Sequence, residues 1–84
     1  MTAIGITATE LTDLVVEVYR DALANPSLDS ESDFFEAGGD SLAAFQITAR
    51  LQAALSVDVP VALVFAYPSP ADLASVVEQE LEVG

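Results

Sequence analysis

The stretch EAGGDSLAAF, residues 36–45, joins a glycine turn to an apolar run with no ionisable side chain before Arg50. Glycine permits backbone conformations with positive φ, and Asp40 is a favoured N-cap residue for a helix that begins at Ser41. We therefore predict a helix from Ser41 to about Leu55 that is apolar on more than one side.

The residues before this stretch predict one helix and a long loop. Thr7 and Glu10 have the spacing of a capping box, and apolar residues then recur at helical intervals, so we expect a helix over about residues 9–24. An Asn-Pro pair then ends the helix. The loop that follows extends to Asp40, and its apolar residues should tie it to the core: Leu28, Phe34 and Phe35.

The residues after the stretch predict a short element and a final helix. The sequence VALVF, residues 61–65, fits either a short strand or one buried helical turn, and periodicity does not separate the two. Ser69 as N-cap, Pro70 at the first helical position and Asp72 three residues after the cap mark the start of the last helix. These elements predict a single all-α domain over residues 1–84. It is a small four-helix bundle of three longer helices and one short helix, with a long loop between the first two helices.

Composition excludes several classes of function. With 14 acidic residues against 2 basic ones, the net charge of −12 opposes binding to nucleic acid and to anionic membranes. No apolar stretch approaches the length of about 20 residues that crosses a membrane, and the start resembles no signal or transit peptide, so we expect a cytoplasmic protein. The chain has no cysteine and no histidine. We therefore expect no catalytic residue and no bound metal.

Ser41 has two interpretations. In the first, the Gly-Gly-Asp-Ser run only turns the chain and caps a helix. In the second, Ser41 is an attachment site, because the unpaired N–H groups and the positive dipole end of a first helical turn suit a phosphate ester. Gly38 and Gly39 carry no side chains that would block a bulky group or a modifying enzyme. Spacing alone leaves both interpretations open.

A family resemblance favours the second interpretation. The runs DFFEAGGDSL and VFAYPSPADLA resemble the acyl and peptidyl carrier proteins of fatty acid, polyketide and nonribosomal peptide synthesis, over about residues 8–82. In that family the serine of the Asp-Ser-Leu motif is esterified with 4′-phosphopantetheine from coenzyme A. The matching residue here is Ser41, flanked by Gly39, Asp40 and Leu42. The thiol of the arm holds acyl or aminoacyl groups as thioesters, so the carrier needs no cysteine of its own.

The resemblance also implies partners and a context. The expected partners are a phosphopantetheinyl transferase, a loading enzyme such as an adenylation enzyme or an acyltransferase, and a ketosynthase or condensation enzyme. The Gly-Gly-Asp-Ser run is more similar to peptidyl carriers and discrete carriers of secondary metabolism than to fatty acid carriers, which place acidic residues on the helix after the serine. We expect a discrete, monomeric carrier protein of polyketide or nonribosomal peptide synthesis.

Partner enzymes are expected to contact the helix that begins at Ser41. Positions 42–45 are all apolar and, at about 100° per residue, they encircle the helix, so some of them face solvent or a partner. We expect mainly apolar contact, with acidic groups that steer the encounter. The candidate partner-binding residues are Ala43, Ala44, Phe45, Ile47, Arg50 and Glu36.

Three other functions share parts of this pattern. An unmodified acidic helical adaptor would keep the bundle and the charge but would not require the Gly-Gly-Asp-Ser-Leu run. Gly-Asp-Ser-Leu also names an esterase family, whose serine needs a histidine that this chain lacks. Asp29, Glu31 and Asp33 match the first positions of a calcium-binding EF-hand loop, but Phe34 stands where that loop needs glycine and Asp40 where it needs glutamate.

Overall fold

The computed structural model describes residues 7–83 as four α-helices joined by loops. They are α1 (Ala8–Ala22), α2 (Ser41–Leu55), α3 (Ala62–Ala66) and α4 (Pro70–Val83). α1 packs against both α4 and α2, and α3 packs against α2. The predicted all-α bundle is confirmed, and the VALVF segment is helical. None of the helices in this part of the chain is long and apolar enough to cross a membrane.

The helices begin at the capping residues that the sequence predicts. Thr7 Oγ1 accepts the Glu10 N–H at 3.1 Å, and Glu10 Oε1 accepts the Thr7 N–H at 3.0 Å, so the capping box is formed. Both hydrogen bonds lower the pKa of Glu10. The bond from the Thr7 backbone N–H has the larger effect, and the bond with the Thr7 side chain has the smaller one. At the start of α4, Ser69 Oγ accepts the Asp72 N–H at 3.2 Å.

α1 ends two residues before the predicted position. The Ala24 N–H bonds to the Asp21 carbonyl at 3.3 Å, and the Asn25 N–H bonds to the Arg20 carbonyl at 3.0 Å. This pair of bonds is the Schellman motif, and Ala24 takes the left-handed conformation that the motif requires, with φ of +52°. The chain therefore leaves the helix after Ala22, before the Asn-Pro pair is reached.

The loop between α1 and α2, residues 23–40, is fixed to the bundle at a few points. Arg20 Nε donates to the Leu28 carbonyl at 2.8 Å, and Leu28 is buried, as predicted. The Ala71 N–H in the first turn of α4 donates to the Ser30 carbonyl at 3.0 Å. The loop is thus bound to the elements on both sides of it, α1 and α4.

Acidic side chains form the turns within this loop. Asp29 Oδ1 accepts the Glu31 N–H at 2.9 Å. Asp33 Oδ1 accepts the N–H groups of Phe35 at 2.7 Å and Glu36 at 3.0 Å. Two of the three residues that match the start of an EF-hand loop, Asp29 and Asp33, therefore bind the backbone of their own loop, as Asp commonly does in turns.

Phe34 is the aromatic residue that the loop contributes to the core. Its side chain is 0% exposed, and its ring meets that of Tyr19 edge to face, with 6.1 Å between centroids. Phe35 is 52% exposed, so the prediction that it also anchors the loop is wrong. The Ala37 N–H bonds to the Asp33 carbonyl at 2.9 Å, which makes residues 33–37 one helical turn. Neighbouring side chains on such a turn point about 100° apart, and only one of the two rings faces inward.

All four helices and the segment between α2 and α3 contribute to the remaining core. Its buried apolar residues are Leu11, Val15, Val16, Val18, Tyr19, Ala43, Ala44, Ile47, Leu51, Leu55, Val59, Val64, Leu73, Ala74 and Val77. α2 faces this core with small residues near its start and larger ones toward its end. Its opposite side stays in solvent.

Phe34 and Phe35 offer a matched pair of substitutions. Phe34→Ala should lower the free energy of unfolding by about 3–5 kcal/mol, because it empties a fully buried position. Phe35→Ala should cost clearly less, about 1 kcal/mol, because the ring is half exposed and its aromatic contacts lie at the surface. Urea unfolding followed by circular dichroism measures both values. Equal losses would contradict the conclusion that Phe34 alone anchors this turn.

Candidate attachment site

Ser41 is the first residue of α2, and its side chain is exposed. Asp40 is the N-cap: its Oδ1 accepts the Ala43 N–H at 2.9 Å and its carbonyl accepts the Ala44 N–H at 3.0 Å. The first N–H groups of a helix have no acceptor within the helix and carry a partial positive charge. A group attached to Ser41 would therefore lie in solvent at the positive end of the α2 dipole.

The two glycines before Ser41 are required for different reasons. Gly38 has φ of +87°, which favours glycine, and a Cβ atom there would meet nothing within 4 Å. A Cβ atom on Gly39 would overlap the tip of the Phe34 ring. The Gly39 N–H also donates to the Phe34 carbonyl at 2.9 Å. Both glycines were expected to leave open space, and Gly38 does. At Gly39 the space that a side chain would need is filled by the Phe34 ring.

Substitution of each glycine by alanine should separate these two roles. Gly39→Ala should displace the Phe34 ring, because the new methyl group occupies the volume of the ring tip. Gly38→Ala should leave the ring in place and cost about 1–2 kcal/mol of stability through backbone strain. Proton NMR shifts of the Phe34 and Tyr19 rings are the readout. Larger ring shifts in Gly38→Ala than in Gly39→Ala would contradict the assignment.

A stacked aromatic pair lies close to the start of α2. Phe35 and Phe65 are stacked, with 6.0 Å between centroids and 22° between planes. Both rings meet Phe34 edge to face, at 5.5 and 6.0 Å. Because the tip of Phe34 abuts Gly39, the pair lies beside the segment that leads into Ser41. Sequence analysis did not identify this pair, although two adjacent phenylalanines on one turn are a signal that one of them faces outward.

The predicted partner surface on α2 needs correction. Ala43, Ala44 and Ile47 are buried in the core, so they are not available to a partner while α2 keeps this packing. Leu42 is 66% exposed and Phe45 is 59% exposed. These two residues are three positions apart and lie on one side of the helix, next to Ser41. The solvent side of α2 near Ser41 is therefore apolar.

Charged groups around the site are almost all acidic. Arg50 and Glu36 are exposed, and their role in partner binding stays a prediction. Arg50 Nη1 bonds to Asp21 Oδ2 at 2.9 Å, and Arg20 Nη1 bonds to Glu17 Oε2 at 3.1 Å. Both arginines of the chain thus have a carboxylate partner, although such exposed pairs contribute little to stability. The acidic side chains therefore outnumber the basic ones on the surface of the chain, with Glu36 and Asp40 exposed just before α2.

Comparison with known proteins identifies the family. The model for the phosphopantetheine attachment site matches residues 8–77, which include Ser41. The chain belongs to this family. Its members are carriers and not enzymes, and they bear a covalently attached 4′-phosphopantetheine. The site around Ser41 has room for a phosphopantetheine, because Ser41 is exposed and the space beside Gly38 is open.

Two relatives of this carrier are synthetases, and the first is described as a probable non-canonical nonribosomal peptide synthetase. The probable synthetase CymA of Salinispora arenicola is 40% identical over 67 residues, which are 80% of this chain and 1% of CymA. The pyochelin synthetase PchF of Pseudomonas aeruginosa is 51% identical over 45 residues, which are 54% of this chain and 2% of PchF. The chain therefore spans a small part of the length of these relatives.

Solved structures share the fold. A nonribosomal PCP domain is 32% identical, with a TM-score of 0.74 over 84% of this chain and 91% of that domain. BlmI, a type-II acyl-carrier protein from Streptomyces verticillus involved in bleomycin biosynthesis, is 20% identical. Its TM-score is 0.85 over 88% of this chain and 89% of BlmI. The likeness to BlmI is one of fold.

Proposed function

We propose that Ser41 bears the 4′-phosphopantetheine and that this carrier holds acyl or aminoacyl intermediates as thioesters on the thiol of the arm. The observation that carries the proposal is the exposed Ser41 side chain at the first residue of α2, inside the region that the family model matches. The chain has no cysteine, so the thiol of a thioester has to come from the arm. Residues 1–84 would then form one carrier domain.

Other serines are less suited to attachment. Ser69 also stands before a helix, but its Oγ accepts the Asp72 N–H at 3.2 Å. Ser32 Oγ accepts the Asp29 N–H at 2.9 Å and belongs to a turn of the loop. Ser41 combines exposure, a helix N-terminus whose cap is supplied by another residue, and open space beside it.

The names of CymA and of the nonribosomal PCP domain favour nonribosomal peptide synthesis as the context of this carrier. The partners that we propose are a phosphopantetheinyl transferase, an adenylation enzyme that loads the arm, and a condensation enzyme that takes the cargo. An acyltransferase and a ketosynthase would replace the last two in a polyketide pathway. Thioester cargo on a short tether stays near a docked enzyme at an effective concentration of about millimolar.

The contact with these partners would centre on Leu42 and Phe45. Both are large, exposed and next to Ser41, and no acidic residue lies in the first turn of α2. Glu36 and Asp40 flank the site and would attract a basic partner before contact. Charges of this kind act mainly on the rate of association, whereas apolar burial acts mainly on the rate of dissociation.

Intact mass spectrometry tests the attachment site. Incubation with coenzyme A and a broad-specificity phosphopantetheinyl transferase should add one phosphopantetheine to the wild-type chain and none to Ser41→Ala. Ser69→Ala is the control and should be modified fully. Ser41→Ala should keep its helical content, because Asp40 remains as the cap. An unmodified wild-type chain would favour the adaptor function. A modified Ser41→Ala chain would show that the phosphopantetheine is attached to another residue.

The dissociation rate of the complex with the transferase tests the contact surface. Phe45→Ser should raise this rate about tenfold, or about 1.4 kcal/mol, because it removes part of the apolar area buried on binding. Ala53 is exposed on the same helix about 12 Å beyond Phe45, and Ala53→Ser should have no effect. Added salt should slow association and change dissociation little. Dissociation that accelerates steeply with salt, with Phe45→Ser neutral, would show that charge pairs hold the complex.

A further inference from the structure

The carbonyl oxygen of Pro68 accepts two hydrogen bonds from different parts of the chain. The Tyr19 hydroxyl of α1 donates to it at 3.0 Å, and the Phe34 N–H donates to it at 2.9 Å. Pro68 lies between α3 and α4. This one oxygen therefore joins α1, the long loop and the segment that leads into α4.

Phe34 extends this restraint to the start of α2. Its carbonyl accepts the Gly39 N–H at 2.9 Å, and the tip of its ring abuts Gly39. Asp40 and Ser41 follow directly, and Asp40 Oδ1 holds the Ala43 N–H at 2.9 Å. The conformation of the first turn of α2 thus depends on where Phe34 holds the backbone before it.

Tyr19 contacts Phe34 through its ring and through the shared acceptor. The two rings meet edge to face with 6.1 Å between centroids, and Tyr19 is fully buried. Burial, and after it the negative charge of Asp33, raises the pKa of Tyr19, and the hydrogen bond to Pro68 shows that its hydroxyl acts as a donor. A core that needed only the volume of the ring would accept phenylalanine and avoid burying a hydroxyl.

We propose that Tyr19 is a positioning residue for the attachment of phosphopantetheine to Ser41 and that it acts through Phe34. This inference rests on the proposed function of Ser41. The Tyr19 hydroxyl does not touch the reacting atoms. It restricts the motion of the segment before α2, so that the Ser41 hydroxyl meets the transferase in one orientation. Orientation matters because a displacement of about 1 Å can lower a rate about 100-fold.

Steady-state kinetics of the attachment reaction tests this role. Tyr19→Phe removes only the hydroxyl, and we expect its kcat with coenzyme A and the transferase to fall about tenfold. The KM for the carrier should change little, because Leu42 and Phe45 stay exposed. Thr7→Ala is the matched control: it removes one capping bond at the other end of α1, with a comparable loss of stability, and should keep the wild-type kcat.

Amide hydrogen exchange of the unmodified chains adds a measurement that does not need the transferase. The N–H groups of Gly39 and Ala43 should exchange about tenfold faster, relative to core amides, in Tyr19→Phe and not in Thr7→Ala. Equal kcat values for the two variants, or unchanged exchange at Gly39, would overturn the positioning role. A Tyr19→Phe chain that does not fold would also overturn it, because the hydroxyl would then stabilise the whole core.

The wild-type chain separates this proposal from the function on which it rests. If wild-type protein takes up no phosphopantetheine, the proposed function of Ser41 is wrong, and the role of Tyr19 in that reaction fails with it. If wild-type protein is modified and Tyr19→Phe reacts at the same rate, only the role of Tyr19 is wrong.

Discussion

The buried ring of Phe34 constrains the backbone on both sides of it. Its N–H binds the Pro68 carbonyl, its own carbonyl binds the Gly39 N–H, and the tip of the ring leaves no volume for a side chain at Gly39. Ordering a loop of this length costs about 1–2 kcal/mol of backbone entropy per residue, so the loop needs a buried anchor to stay in place. With Phe34 held, the chain enters α2 at Asp40 along a defined path, and Ser41 comes to lie at the surface.

The two sides of α2 lie in different environments: one is buried in the core and the other is exposed to solvent. Its inner side begins with Ala43 and Ala44, small residues that are buried against the rest of the core. Its outer side exposes Leu42 and Phe45, which a protein without partners would gain nothing by keeping in water. Exposed apolar side chains promote self-association, and a net charge of −12 opposes it through repulsion between copies. The acidic composition thus reduces the tendency of the exposed apolar side of α2 to self-associate.

Local signals predicted the helices, whereas the direction of single side chains depended on packing. The capping box at Thr7, the cap at Ser69 and the glycines before α2 act within a few residues of themselves, so the sequence alone was enough to locate them. Phe34 and Phe35 are equally apolar, and only the turn formed by Asp33 determines which ring is buried.

The partner surface was harder to predict for the same reason. α2 is apolar nearly all round, so the sequence does not say which side faces the core, and Ala43, Ala44 and Ile47 were placed on the wrong side. The Tyr19 hydrogen bond to Pro68 joins residues 49 positions apart, and no local pattern predicts a contact of that kind.

A carrier that visits several enzymes in turn has to bind each of them briefly, and the surface of this chain suits that requirement. Large interfaces with fixed ion pairs give long-lived complexes, whereas one or two apolar side chains beside an attachment site bury little area. Excess acidic charge acts over about a Debye length and raises the rate of encounter with a basic partner, with less effect on the lifetime of the complex. Both arginines form exposed ion pairs with carboxylates of the same chain, and pairs of this kind are weak. In the function that we propose, recognition depends on Ser41 and its immediate apolar neighbours, because every partner has to approach them in order to reach the arm.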